Sequence, residues 1–588
     1  MSPRWCKVGP FSMDLEERVL LREGKPVTLT PKLFETLRVL VEKHGRIVEK
    51  DELLKQVWPD AFVEEGNLSV NVFRLREALS DNEGSHQYIE TIPRRGYRFV
   101  AAVTQGATAT GGQAGQRSAS AQDGDVHAVA VLPFENMSHD ASQDYLADGM
   151  TDALITALSK MGRLRVISRT SVLQYGNARK PLPEIARELG VEFIVEGSVL
   201  QIGNRVRIAA QLIDGARDHH IWAERYEEDF SDMFSLLDQT AMAVASAVAG
   251  TMGKPAGALA GTAKRIAPEA WQAYMKGRHE LNRFTQAGLF AAIEWYGKAI
   301  QADPNFGLAY SALALIYSAM ASPLAALPPR ELFGKAEAAA RKALSIDGSN
   351  AEARWVLGLT EIMFHWNWKA GERETRLALA IDPSNAAAHT VMAVYHIVAG
   401  ENSRAVDECE QACLLDPFSP NIRRVLYLSM YLARQYEEAK ERILADKDRL
   451  SGFFQYHGAV GVCAIRDEDW ETAGREFQMA VESSGGSSHM KAGQGYALAA
   501  SGRVAEARAI YQDLIQQAKS RYVPATDLAI LATGLGETEE ALDWLDKAYE
   551  ERSTHLIFIA IDFFFVPLRK IPRFCDLVRR MGLPTVPA

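Results

Sequence analysis

The spacing of apolar residues changes character twice along this chain. Val8, Phe11, Leu15, Val19 and Leu21 stand among polar neighbours and predict short strands. Thr30-Pro31 then offers an N-cap with proline at the first helical position. Leu33, Phe34, Leu37, Leu40 and Val41 follow at helical spacing, and Gly45 ends that helix. A second, short helix is expected over about 50–57, stopped by Trp58-Pro59. A third is expected over about 65–80. There Leu68, Val72, Leu75 and Leu79 share one face and must bury it. The opposite arc holds Asn67, Val70, Phe73, Arg74 and Glu77, with Asn71 and Arg76 on the flanks. Two further runs, 88–92 and 97–100, predict a hairpin turning at Pro93-Arg94-Arg95-Gly96.

From 126 to 252 the pattern alternates between strand and helix. Strands are expected at 129–132, 164–168, 193–200, 205–213 and 221–226, and helices at 145–160, 183–189 and 234–249. The order β-α-β-α-β-β-β-α is an α/β (α+β) pattern. Beyond 266 only helical spacing remains, and it repeats. Small residues recur at Ala292, Ala336, Gly371, Ala405, Ala439, Ala473, Ala507 and Ala541, with separations of 44, 35 and then 34 throughout. Asp303-Pro304, Asp347-Gly348, Asp382-Pro383 and Asp416-Pro417 mark helix ends, where the Asp is expected to close one helix and cap the next. Eight helix pairs are expected, with ten extra residues before Ala336 (SPLAALPPRE) as a loop insertion. Stacked pairs bury one continuous core and build a curved superhelix.

Two stretches break these blocks. Residues 105–125 (QGATATGGQAGQRSASAQDGD) are small and polar, as in a flexible linker, and 253–265 form a weaker break. The expected domains are therefore 1–104, 126–252 and 266–553, with 554–588 capping the last repeat.

Charge changes the picture only locally. The chain carries a net −10, so any contact with nucleic acid must be confined to one region. Residues 1–104 hold 16 Lys+Arg against 16 Asp+Glu, without the basic excess usual for DNA binders. Positive charge gathers instead at Arg74, Arg76, Arg94, Arg95 and Arg98. Amide, guanidinium and small apolar groups on one helix face suit base edges and thymine methyls in a major groove. Two arginines on a tight turn suit a minor groove or phosphates.

Other chemistry is sparse. Cys409 and Cys413 lie four apart on a helix, but no second pair completes a metal site, so a buried structural role is expected. The few, scattered cysteines fit reduced thiols in the cytoplasm. Asp144, Asp148 and Asp152 form a row that suits a divalent cation, and more plainly a solvated helix face. His219 and His220 alternate faces and are expected to be structural. Trp366 and Trp368 are expected either as exposed anchors or as packing at an inter-repeat joint. No phosphate loop, nucleophile with its base or paired metal carboxylates is found, so no enzyme activity and no cofactor are expected. Apolar runs at 241–250 and 556–568 are too short to span a bilayer. Arg4 and Lys7 precede no apolar core, so no signal peptide is expected.

Residues 5–100 resemble the OmpR/PhoB-type winged helix, in the version found in CadC/ToxR-like one-component regulators. LTPKLFETLRVLVEKHGRIVEKDELLKQVW, NLSVNVFRLREALSD and YIETIPRRGYRF carry the resemblance. It implies a third helix in the major groove, with Asn67, Val70 and Arg74 toward bases. Asn71, Arg76 and Thr91 would face phosphates, and Arg94 or Arg95 would make the wing contact. Gly66 and Phe73 stand where relatives often place basic residues, which lowers the implied phosphate affinity. The resemblance also implies binding to double-stranded DNA as a homodimer on tandem half-sites. No phosphoacceptor pocket precedes the winged helix, so control by phosphorylation is not expected.

VAVLPFENMSHDASQDYLADGMTDAL, ARELGVEFIVEGSV and HIWAERYEEDF resemble the TolB-N-like or FlgO-like domain, which implies ligand sensing or assembly and no catalyst. The 34-residue period resembles tetratricopeptide repeats, which implies a concave face for a protein or peptide. The expected whole is a cytoplasmic, sequence-specific transcriptional regulator with no membrane segment. Its middle and repeat domains would receive a signal and set dimer geometry or contact RNA polymerase. The competing expectation is a repeat scaffold with weak or vestigial DNA binding.

Overall fold

The computed structural model describes residues 5–8, 11–14, 19–22, 25–27, 31–43, 46–57, 68, 71–72, 75–76, 79, 88–92, 95–101, 103–106, 127–138, 140–159, 164–176, 180–250, 266–283, 285–321 and 328–584. The chain divides into two compact units, Met1–Ser120 and Ala121–Ala588.

The first unit holds two antiparallel sheets. Strands Lys25–Val27, Val19–Arg22, Phe11–Asp14, Trp5–Val8 and Val103–Gly106 lie side by side in that order. Gln105 and Gly106, expected to begin a linker, are instead paired through Gln105↔Cys6 and Gly106↔Trp5. Strand Gly96–Phe99 lies between Ile47–Glu49 and Ile89–Ile92 in the second sheet. Helices Pro31–Glu42 and Lys50–Val57 form where the apolar spacing predicts them. The described residues from 68 to 79 are helical, and Leu68, Val72, Leu75 and Leu79 join Leu37, Leu40, Leu53 and Phe99 in one core.

In the second unit, a mixed sheet runs Leu164–Val166, His127–Val131, Phe193–Ile202, Arg205–Asp214, His219–Asp229. The first three strands are parallel and the last three antiparallel. The two-residue strand Glu135–Asn136 pairs with Phe193–Ile202, and a short helix Arg169–Val172 follows the strand at 164. Neither is legible from periodicity, because each spans only about one period of its pattern and a repeat needs at least two. Helices Asp144–Ser159 and Met233–Gly250 cover one sheet face, where Met150, Leu154, Leu236 and Val244 meet Val131, Val195 and Ile208. Helix Leu182–Leu189 and the short helix cover the other face.

Among the described residues, eight helix pairs follow, from Pro268–Leu281 with Gln286–Ala302 to Ala525–Gly534 with Thr538–Glu551. The eight small residues lie on the second helix of each pair and are buried, because the first helix packs against them. Asp303, Asp347, Asp382 and Asp416 end their helices as expected. The following helices are capped by other residues: the Asn350 and Asn385 side chains accept from Ala353 N and Ala388 N, and Ser419 Oγ accepts from Ile422 N. Most of the expected insertion (322–327) and all of the second linker (253–265) lie outside the described residues.

The sheet layer and the helix pairs share one core. Trp271, Met275 and Phe306 pack with the helix Asp144–Ser159. The array also turns back on itself. Trp366, a left-handed helix end at φ 59°, packs its ring 4.9 Å from that of Tyr549 in the eighth pair. The Arg552 guanidinium lies over the same indole at 3.8 Å. Trp366 is thus a packing residue at a joint between the third and eighth pairs. Residues 554–568 then fold inward as two short 3-10 turns, with Phe564 and Phe565 buried.

Candidate nucleic-acid interface

The winged-helix unit builds its outward face by burying everything behind it. Leu68, Val72, Leu75 and Leu79 are at most 3% exposed, which fixes the orientation of the third helix. Asn71 is half-buried and reaches back, its Nδ2 donating to Thr36 Oγ1 at 3.4 Å, at the long end for a hydrogen bond. Arg76 is also half-buried. Its Nε and Nη2 donate to the Ile89 carbonyl at 3.1 and 2.8 Å, and Nη2 donates to Thr91 Oγ1 at 2.7 Å. One guanidinium therefore ties the third helix to the first strand of the hairpin. Arg76 and Thr91, both expected to face phosphates, are brought together and satisfy each other.

The hairpin is strands Ile89–Ile92 and Gly96–Phe99. Arg95 is exposed at its turn, where its N–H donates to the Ile92 carbonyl at 3.1 Å. Its own carbonyl accepts from Lys50 N at 3.2 Å, which docks the turn on the start of the second helix. Gly96 allows that approach: a Cβ there would sit 2.0 Å from the Val48 carbonyl oxygen. Arg98 lies 3.4 Å from Glu90 across the hairpin, so part of the local positive charge is neutralised. Asn67, Val70, Arg74 and Arg94 lie outside the described residues.

Several expectations about the second unit change. Asp148 and Asp152 are not a solvated row. Asp152 is buried and holds Arg169 Nη1 at 3.0 Å and Arg278 Nε at 2.6 Å. Burial alone would raise its pKa, but the two guanidiniums prevail and hold the carboxyl below its ordinary value. Asp148 pairs with Arg169 at 2.8 Å and with His279 at 2.6 Å. Sequence periodicity shows these acids but not their partners, which lie on separate elements. His219 and His220 are exposed. Cys409 and Cys413 are buried as expected, and burial pushes their thiols up to about 12 and about 11.

The concave side of the array encloses a cavity. The first helices of the pairs, the helix Asp144–Ser159 and residues 554–564 together line a cavity of about 750 Å³. That volume is in the range of small-molecule sites. The lining is drawn from side chains far apart in sequence, so no local motif signals it.

Residues 24–99 match the family model described as "Transcriptional regulatory protein, C terminal". Residues 125–243 match that of "HilA/YgeH-like transcriptional regulator, second domain". The chain thus carries an OmpR/PhoB-type winged helix followed by a HilA-like second domain and a helical array. It is 26% identical over 347 residues to "Transcriptional regulator HilA" of Salmonella typhi, covering 58% of each chain. It is 32% identical over 98 residues to "Transcriptional activator CadC" of Escherichia coli (strain K12), covering 16% of this chain and 19% of that one. "Putative adenylate cyclase 3" of Rhizobium meliloti (strain 1021) is 32% identical over 232 residues, covering 39% of each. The chain spans between about two fifths and three fifths of the length of the first of these curated relatives.

Proposed function

We propose that this protein is a non-enzymatic transcriptional regulator that binds double-stranded DNA through its winged helix. The observation that carries this reading is the brace between the third helix and the hairpin. Arg76 holds Ile89 and Thr91, so helix and wing present one rigid surface. On that surface Asn67, Val70 and Arg74 are assigned to base edges. Asn71 is assigned to a phosphate, as is the remaining Nη1 of Arg76. Arg95 or Arg94 takes the wing contact. The even charge of residues 1–104 makes dimeric binding on tandem half-sites the means to sufficient affinity.

The sheet layer and helical array receive the signal, through a small molecule or short peptide segment, and set dimer geometry or polymerase contact in the cytoplasm. The test is titration of the full chain against its own upstream DNA and a scrambled duplex at two salt concentrations. A regulator binds the former selectively, with a negative slope of log affinity on log salt. Equal, weak binding to both would leave a repeat scaffold as the better description.

A further inference from the structure

The described charged groups lining the central cavity have charged or hydrogen-bonding partners within the protein, Glu352 lying 4.0 Å from Arg278 Nη1, and one cation among them has no carboxylate. Arg169 and Arg278 are both tied to Asp152. Asp416 accepts from Ser171 Oγ, and Asp562 pairs with His555 at 2.6 Å. Asp347 and Asp382 accept from the backbone of their own turns, at Ser349 N and Ser384 N. Arg424, on the first helix of the fifth pair, has no carboxylate partner among the described residues. Its one hydrogen bond runs from Nη2 to Asn421 Oδ1, 3.2 Å away on the same helix. Burial depresses its guanidinium, with only the Cys409 thiol opposing that shift. Arg424 is half-buried, and a ligand that supplies the opposite charge would offset the cost of holding its guanidinium there without a carboxylate.

Its surroundings are organised for polar contact. His489 and His555 both line the cavity, with ring centroids 4.5 Å apart. Each is oriented by its own carboxylate, His489 Nδ1 by Asp527 at 2.9 Å and His555 Nε2 by Asp562. That leaves His489 Nε2 and His555 Nδ1 as ring nitrogens without a carboxylate. The positive charge of Arg424 is felt at His489. Gln455 adds a buried side-chain oxygen with no partner. The rest of the wall is chiefly aliphatic and aromatic, including Val425, Leu428, Val462, Phe558 and Phe564.

We propose that this cavity binds a small organic anion, with its carboxylate or phosphate head on Arg424 beside the His489–His555 pair and its apolar body along the aliphatic wall. Bidentate pairing of a guanidinium with either head supplies the missing charge and fixes orientation. Burial of the body supplies the remaining affinity. The site is independent of the DNA-binding reading, because its occupancy is measured without DNA.

The experiment uses the whole 588-residue chain and four probes that share an eight-carbon chain, octanoate, octyl phosphate, 1-octanol and octyltrimethylammonium, each titrated calorimetrically. At least one anion should bind about tenfold or more tighter than the alcohol and the cation, as expected for a charge-assisted pair in a half-buried wall. The preferred anion identifies the head as carboxylate or phosphate. Arg424→Gln should erase the anion's advantage while leaving 1-octanol affinity unchanged, with Arg404→Gln on an outer helix as the control. Thermal melts of each variant establish that it is folded. Absence of binding by both anions, equal affinity for all four probes, or a preference for the cation overturns the proposal. These outcomes are read on the unmodified chain, so failure of a variant to fold does not shelter it. An Arg424→Gln chain that keeps the full anion preference overturns it as well.

Discussion

Arg278, on the first helix of the array, donates through Nε to the Asp152 carboxylate of the sheet layer at 2.6 Å, in a position where both side chains are largely withdrawn from water. Arg169 completes the group from a third element. The joint between the two layers thus depends on charges that must stay matched, because an uncompensated buried charge is strongly destabilising.

Asp152→Ala leaves two guanidiniums facing an empty site. It should destabilise the second unit by about 3–5 kcal/mol, the usual result of removing one partner from a buried pair. Arg278→Met should cost less, because Arg169 still holds the acid. Calorimetric melting of the full chain distinguishes the two. A smaller loss for Asp152→Ala than for Arg278→Met would contradict this account.

The same joint carries two opposite pH dependences. Asp152 is held below its ordinary pKa, so its stabilisation is present above the unfolded value, about 3.9, and is lost as pH falls through the lower folded value. His279 is held above its ordinary value, chiefly by its hydrogen bond to Asp148. Its contribution is complete below about 6.5 and is lost as pH rises through the folded value. Melting temperature should therefore decline as pH rises above about 6.5, and His279→Gln should flatten that decline. Unchanged curvature in the variant would show that the pair adds nothing.

Arg76 and Arg95 should separate by salt dependence. Arg95 is exposed on the wing turn, so Arg95→Ala should make the log–log salt slope shallower by about one and leave melting unchanged. Arg76 braces helix to hairpin, so Arg76→Ala should lower the stability of the first unit by about 1–3 kcal/mol. Its salt slope should change less than that of Arg95→Ala. Fluorescence anisotropy at four salt concentrations, with parallel melts, measures both.

Gly96→Ala places a methyl against the Val48 carbonyl, at a point where the two strands are paired backbone to backbone. No side-chain rotamer relieves this contact. The first unit should lose about 2 kcal/mol or more, and proteolysis should cleave the hairpin faster. A variant that melts with the parent chain would mean that the strands part freely there.

The helices Pro31–Glu42 and Lys50–Val57, the five main strands of the middle layer and the period of the array were all legible from apolar spacing. Burial of a stripe is a local requirement, and Leu68, Val72, Leu75 and Leu79 state it without reference to the rest of the chain. The OmpR/PhoB-type domain was legible for the same reason, since its motifs lie within one hundred consecutive residues.

Partnership was not legible. Nothing near Asp152 in sequence names Arg278, and nothing near Trp366 names Arg552. Nothing near Arg76 in sequence names Ile89 and Thr91 as its partners, which only the placement of the hairpin supplies. The concave face reads as open until the eighth pair returns to the third and the 554–568 segment folds in. Apolar periodicity determines which face each element hides. Which charges then meet, and how much space their elements enclose, depends on long-range packing that no local pattern encodes.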